Sequence, residues 1–202
     1  MSKDIKEGAL SVLTYIDSPF KFIVVIVLSV MCFLGYFAYQ HQGLFLSVYM
    51  KSQELPKLNE NQFDDAAQLL FKQTGAEVIA IFSVNPILNK RVLLRAYNKD
   101  GSREKRLEGL DVGLFTTNQA NNSDVVKLMS SEVPCGEYKR PQSEAGLWYI
   151  QQGVTYTCRI SVPPEINQFI AQITLGWKDK PDEHYAADML TIAANKIIKE
   201  RK

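Results

Sequence analysis

The stretch PFKFIVVIVLSVMCFLGYFAYQHQG, residues 19–43, decides how the rest of the chain is interpreted. Phe22 to Tyr39 is a run of 18 residues without a charged side chain. As a helix rising about 1.5 Å per residue, it would extend about 27 Å, close to the roughly 30 Å hydrocarbon core of a bilayer. Its apolar side chains occupy every side rather than one stripe, which suits lipid better than a protein surface. The stretch therefore predicts a transmembrane helix over residues 19–43.

A cleaved signal peptide is the competing interpretation of this stretch. Lys3, Lys6 and Lys21 resemble the positively charged start of such a peptide. However, the apolar run is too long, and aromatic residues follow it where a signal peptide has a small-residue cleavage site. A permanent anchor is therefore favoured. The apolar pattern resumes in LFLSVYM, residues 44–50, and leaves open whether the helix continues to residue 53.

The charges on either side of the predicted helix suggest its orientation. Three lysines precede or begin it, against two in the segment just after it, and loops rich in Lys and Arg tend to stay in the cytoplasm. We therefore expect a cytoplasmic N-terminal tail over residues 1–18 and a periplasmic domain over residues 54–202. The chain would cross the inner membrane once, with the lipid bilayer as its first partner.

One face of the predicted helix has small and weakly polar side chains, at Ser29, Cys32, Tyr36, Gln40 and Gly43. Such side chains let helices approach closely and form hydrogen bonds in lipid. This face predicts self-association into a homo-oligomer. The other interpretation, that a single anchor tolerates these residues anywhere, stays open.

The pattern beyond the membrane predicts an α+β domain with an antiparallel sheet flanked by helices. NENQFDDAAQLLFKQTG, residues 59–75, has helical spacing and a glycine that can end the helix. Two strands, EVIAIFSV and RVLLRAYN, follow it. We then expect a short helix from about Asp124 to Ser131 and three strands, GLWYIQ, VTYTCRISV and FIAQITLGW. The last element is a helix with Pro181 in its first turn.

Alternation within VTYTCRI, residues 154–160, predicts how the sheet is covered. Apolar residues and cysteine alternate there with Thr155, Thr157 and Arg159, so one face should be buried and the other polar. Four aromatic residues of the domain could line a ligand pocket, but at strand spacing they are more typical of a core. These residues are Trp148, Tyr149, Tyr156 and Trp177.

Charge and residue composition exclude several functions. The chain has 23 basic and 22 acidic residues, a formal net charge of +1, so nucleic acid is not an expected partner. Among only three cysteines and two histidines there is no zinc-type spacing, and we expect no metal or cofactor. His184 lies near the start of the last helix without a nucleophile motif beside it, so we expect no catalytic residues and no enzyme.

Cys135 and Cys158 permit a disulfide if the domain lies outside the cytoplasm. Two unpaired buried thiols fit the sequence equally well.

The layout resembles the T-type holins of T-even and T5-like phages. The residues that carry the resemblance are FIVVIVLSVMCFLGYFAYQHQGLFLSVYMKSQ, VTYTCRISVPPEINQFIAQITLGWKDK and LTIAANKIIKERK. The resemblance implies a holin that accumulates in the host inner membrane, oligomerises and forms lesions that release an endolysin. It also implies a PAS-like periplasmic domain that binds an antiholin, which delays lysis. Family members can have a cysteine in the last helix, whereas this helix has none.

Two other functions fit the same layout. A VirB8-like assembly factor of a secretion machine would also join one membrane helix to a small α+β periplasmic domain. A periplasmic small-molecule sensor domain would bind a ligand in its outer part. The residues themselves leave these alternatives open.

Overall fold

The computed structural model describes residues 18–41, 56–166 and 168–199. Its contacts divide the chain into an N-terminal unit that ends at Glu54 and a second unit that begins at Leu55. The predicted tail over residues 1–17 lies outside the described residues, and so do Gly43 and the proposed continuation of the helix to residue 53.

The N-terminal unit contains one described helix, α1 (Pro19–Gln40). Ser18 caps its start by accepting a hydrogen bond from the backbone N–H of Lys21, and Pro19 has the backbone angle that a first helical turn needs. The window Pro19–Phe37 has a mean hydropathy of 2.4, and none of it is buried against other parts of the chain. Helix α1 is therefore long and apolar enough to cross a membrane, as predicted.

The second unit contains a five-stranded antiparallel sheet with helices on both faces. The strands are β1 (Val78–Asn85), β2 (Lys90–Asn98), β3 (Cys135–Glu137), β4 (Tyr156–Val162) and β5 (Ala171–Trp177). The helices are α2 (Phe63–Thr74), α3 (Gln119–Met129), α4 (Glu144–Gln151) and α5 (Glu183–Lys196). The strand order is β2-β1-β5-β4-β3, so β5 lies at the centre of the sheet. The predicted α+β class with an antiparallel sheet is confirmed.

The first face of the sheet packs on α2 and α5. Phe63 and Leu70 of α2 and Leu190 of α5 join the inward side chains of β1, β4 and β5 in one buried cluster. Helix α2 ends at Gly75, whose left-handed backbone (φ 64°) closes the last turn. This is the helix and the glycine stop that the sequence predicts.

The second face of the sheet is also covered, which corrects the expectation that one face is buried and the other polar. Val78, Ala80 and Phe82 of β1 pack with Trp148 and Tyr149 of α4. A further cluster joins α3 to the end of β1. Strand β4 is consequently buried on both sides along most of its length. Alternation indicates which residues share a face of a strand, but not what lies over that face.

The segment GLWYIQ is helical, so its prediction as a strand is wrong. It belongs to α4, where the Ser143 hydroxyl accepts a hydrogen bond from the backbone N–H of Gly146 and caps the helix. Its aromatic residues suggest a strand, but short apolar runs do not distinguish a strand from a buried helix. Trp148 and Tyr149 are nevertheless buried, as predicted.

Two helix starts also differ from their predicted positions. Helix α3 begins at Gln119 rather than near Asp124, because the Asn118 side chain accepts hydrogen bonds from the N–H groups of Ala120 and Asn121. Helix α5 begins at Glu183 with Asp182 as its cap.

Candidate functional site

The second face of the sheet encloses a cavity of about 310 Å³. It lies between β1, β2, β4 and β5 on one side and the first turns of α3 and α4 on the other. We call it the arginine cavity and define it by six of its lining residues: Phe82, Arg91, Tyr138, Tyr149, Arg159 and Thr174. Ligand sites are typically concave spaces of about 300–1,000 Å³, so the arginine cavity is at the small end of that range.

Strand register explains why polar side chains line this cavity. Arg159 of β4 lies opposite Thr174 of the central strand β5, and Gln172 lies two residues before Thr174 on the same face. Gln172 and Thr174 are both almost fully buried. The Gln172 amide donates to the Thr174 hydroxyl at 2.8 Å. Polar positions in the middle of a sheet therefore form one wall of the cavity.

Arg91 is the most unusual group of the site, because its side chain is a buried cation without an acidic partner. It is 8% exposed and makes no ion pair with any described residue. Two of its N–H groups donate to neutral amides, to Gln172 Oε1 at 3.3 Å and to Asn121 Oδ1 at 3.0 Å. Its Nε has no hydrogen-bond partner.

The buried position of Arg91 changes its pKa. Loss of hydration, together with the positive charge of Arg159, lowers the pKa of Arg91 to about 10. Arg91 is still a cation at neutral pH. Burial of a cation without an opposite charge costs several kcal/mol, so a bound anion would stabilise Arg91.

The other charges of the cavity are largely paired with one another. Arg159 forms an ion pair with Asp124 of α3 at 2.9 Å, and Lys139 forms one with Glu137. Arg140 also lines the cavity. Four basic side chains thus face two acidic ones, and the lining has a net charge of +2.

Two helix starts add to this positive potential. Asn118, the cap of α3, and Ser143, the cap of α4, both line the cavity together with residues of the first turns that follow them. The first N–H groups of a helix and its macrodipole favour negative charge. This effect supports the arginines but would not define a site without them.

Tyr149 supplies a second polar atom without a partner. Its ring is buried and packs edge-on against Tyr138, with ring centroids 5.4 Å apart. Burial, followed by the effect of Tyr138, raises the pKa of Tyr149, whereas the positive charges of Arg159 and Arg91 and then the nearby Thr174 hydroxyl oppose this rise. The geometry nevertheless gives its hydroxyl no hydrogen bond. A neutral phenol that lines a cavity can donate a hydrogen bond to a ligand.

Cys135 and Cys158 are joined by a disulfide with an S–S distance of 2.05 Å. The two residues are directly opposite in the β3–β4 ladder. The bond fixes edge strand β3, and the chain after Cys135 supplies Glu137 to Arg140 to the cavity lining. The disulfide thus holds one border of the arginine cavity in place.

The predicted self-association residues lie on α1, apart from Gly43. Ser29, Cys32, Tyr36 and Gln40 are all exposed. The Ser29 hydroxyl donates to the Val25 carbonyl at 2.8 Å, and the Gln40 amide donates to the Tyr36 hydroxyl at 2.9 Å. These groups can therefore enter lipid with hydrogen bonds already made inside the helix. Self-association through this face stays a prediction.

The sequence-based predictions do not include the arginine cavity, although polar residues inside a strand could have indicated it. Gln172 and Thr174 each lie between apolar residues of the central strand β5. Polar side chains within a central strand need partners or a ligand.

His184, the histidine considered in the sequence, is exposed. Among the described ranges, no group of three metal-ligating side chains comes together.

Comparison with known proteins shows the fold. No family profile matches the chain, and no curated protein does. A red/green cyanobacteriochrome in its red light-absorbing state matches with a TM-score of 0.50 and 11% identity, over 68% of this chain and 90% of that one.

Two weaker matches are GAF domains. One comes from a GAF domain/HD domain protein of Geobacter sulfurreducens, with a TM-score of 0.48, 13% identity, and coverage of 68% of this chain and 90% of that one. The other comes from a two-component sensor histidine kinase of Bacillus halodurans, with a TM-score of 0.43, 15% identity, and coverage of 67% and 92%.

These comparisons correct the predicted resemblance to T-type phage holins. The structure that shares this fold is a cyanobacteriochrome and not a holin, so the predicted holin family and the lysis function that it implies are wrong. The resemblance rested on layout and apolar patterning, which any chain with one membrane helix and a small α+β domain shares. At this identity the comparison shows the fold alone: the second unit has the α+β fold of that cyanobacteriochrome.

Proposed function

We propose that the second unit is a small-molecule sensor domain whose ligand site is the arginine cavity. The observation that carries the proposal is a buried guanidinium without an acidic partner among the described residues, in the wall of a cavity large enough for a ligand. Buried charges in folded proteins are usually paired with an opposite charge. The lining offers guanidinium, amide and phenol groups and, among the described residues, no histidine or cysteine. We therefore assign the site to binding rather than to catalysis.

Thermal unfolding of the full-length chain in detergent tests this function. A small-molecule library is screened for compounds that raise the unfolding temperature of the domain. A ligand at one hundred times its Kd stabilises a protein by about 2.7 kcal/mol. At roughly 2–4 °C per kcal/mol for a domain of this size, the rise would be about 5–11 °C.

Two variants of α3 give a matched control. Ala120→Trp places a large ring at an exposed position that lines the cavity, and Val126→Trp places the same ring at an exposed position that does not. We expect ligands to stabilise the wild type and Val126→Trp equally, and Ala120→Trp much less. The proposal fails if no compound stabilises the wild type, or if Ala120→Trp responds as the wild type does.

We further propose that α1 anchors the sensor domain in the inner membrane with a cytoplasmic N-terminus. The apolar length of α1 supports the anchor. The disulfide supports a periplasmic location of the domain, because such bonds persist in oxidising compartments. In spheroplasts, external protease should degrade the domain, while a cytoplasmic control protein stays intact. Recovery of the full-length chain in the soluble fraction would contradict the anchor.

A further inference from the structure

The chemistry of the cavity narrows the class of ligand. A guanidinium has five N–H donors and no acceptor, and Arg91 uses two of them on neutral amides. The remaining donors, including the unpartnered Nε, suit an oxyanion, which an arginine can bind through two parallel hydrogen bonds. The unpartnered Tyr149 hydroxyl is a further donor in the same lining.

The other groups oppose a cationic or neutral ligand. Asp124 and Glu137 are already paired with Arg159 and Lys139, so no acidic side chain of the lining is left to pair with a ligand cation. A neutral ligand could accept the remaining hydrogen bonds of Arg91 but could not balance its positive charge. An anion, by contrast, offsets part of the cost of burying that charge.

The volume of the cavity limits the size of the ligand. A water molecule occupies about 30 Å³ in the liquid, and a cavity of about 310 Å³ holds roughly ten atoms of that size. The rings of Phe82, Tyr138 and Tyr149 supply apolar surface for the remainder of the molecule. A short organic acid fits this space.

We propose that the arginine cavity selects a small organic carboxylate of about ten non-hydrogen atoms, bound through Arg91 and the Tyr149 hydroxyl. This inference rests on the proposed sensor function and specifies its ligand. The Arg91 Nε and the Tyr149 hydroxyl are shielded from solvent, so both side chains turn toward the cavity on binding, and the carboxylate then accepts hydrogen bonds from the Arg91 Nε, a neighbouring Nη and the phenol. Arg159, held by Asp124, adds positive charge without having to leave its partner.

Succinate and succinamide are suitable probes, because they have the same shape and number of heavy atoms but differ in charge. Inorganic phosphate is a third probe and distinguishes a carboxylate site from a site for any oxyanion. Each is titrated at constant ionic strength into the full-length chain in detergent, and the unfolding temperature is measured. We expect succinate to stabilise the protein at least tenfold more effectively, by concentration, than succinamide or phosphate.

Arg91→Met and Tyr149→Phe distinguish a binding site from general salt effects, since phosphate and similar anions stabilise many proteins by exclusion from their surfaces. Arg91→Met removes the buried charge, so the ligand-free variant should unfold at the same temperature as the wild type or higher, without a response to succinate. Tyr149→Phe removes a hydroxyl that has no partner, so it should keep its stability but bind succinate at least tenfold more weakly. Asp188→Asn, at an exposed position of α5, is the matched surface control and should respond as the wild type does.

Three results would overturn the ligand assignment. The assignment fails if succinamide is as effective as succinate, if the library yields only neutral or cationic ligands, or if Arg91→Met keeps the full succinate response. Each leaves the proposed sensor function standing, because some ligand still binds the chain. Failure of every compound, including the library, would instead refute the sensor function itself.

Discussion

Opening the disulfide should destabilise the second unit by a predictable amount. Cys135 and Cys158 are 23 residues apart, and closing a loop of that length removes chain entropy worth about 3 kcal/mol from the unfolded state. Small domains have a total stability of about 5–15 kcal/mol. Reduction would thus remove between a fifth and over half of it and lower the unfolding temperature by roughly 6–12 °C.

The assay compares urea unfolding of the full-length chain in detergent with and without a reductant. The buried Trp148 and Trp177 report unfolding by fluorescence. Reduction is better than serine replacement as the main perturbation, because Cys158 is fully buried and a serine there would add the cost of a buried hydroxyl. Cys32→Ser, an exposed position on α1, serves as a control and should not alter the effect of the reductant.

Two results would refute this reasoning. If thiol labelling shows that the bond has opened while the urea midpoint stays unchanged, the loop-entropy argument is wrong. If protein isolated without reductant already has two further reactive thiols after unfolding, the bond itself is absent and the argument for an oxidising compartment fails with it.

Three other sets of substitutions test the packing, a helix cap and the membrane helix. Gly176→Ala would place a methyl group 2.8 Å from methyls of Val78 and Val154, so the free energy of unfolding in urea should fall by about 1–3 kcal/mol. Gly136→Ala, with open space around it, should leave the free energy of unfolding almost unchanged. Ser143→Ala removes the cap of α4 and should lower the free energy of unfolding by about 1 kcal/mol; no change in the urea midpoint would contradict the cap. Replacement by leucine should weaken self-association, measured by cross-linking in membranes, at four positions of α1, namely Ser29, Cys32, Tyr36 and Gln40; unchanged cross-linking would refute the predicted face.

Much of the fold could be predicted locally, because its signals are short-range. Several elements are indicated by only a few neighbouring residues. These signals are the uncharged run of α1, the glycine after α2 and the β-branched runs of β1 and β4. Helix α4 could not be predicted in this way. Its residues suit a strand equally well, and the Ser143 cap and the packing of Trp148 on the sheet decide in favour of a helix.

The function was the least predictable part. A layout of one apolar helix and a small α+β domain occurs in proteins with unrelated roles. The resemblance to holins rested on this layout and not on the residues of a functional site. The candidate site is made by residues far apart in sequence. Arg91 and Gln172 are 81 positions apart and meet only because β2 and β5 pair with opposite edges of β1, across which the Arg91 side chain reaches Gln172.

The sequence by itself determined a membrane-length helix, the α+β class and most of the strands, since hydrophobic period and helix stops depend on neighbouring residues. Only the tertiary structure decided that the polar face of the sheet is covered. Coverage depends on the long-range packing of α3 and α4, and it turns Arg91 from an apparent surface charge into a buried cation. Water would hydrate that charge on an open sheet, whereas the helices that cover the sheet remove most of that water.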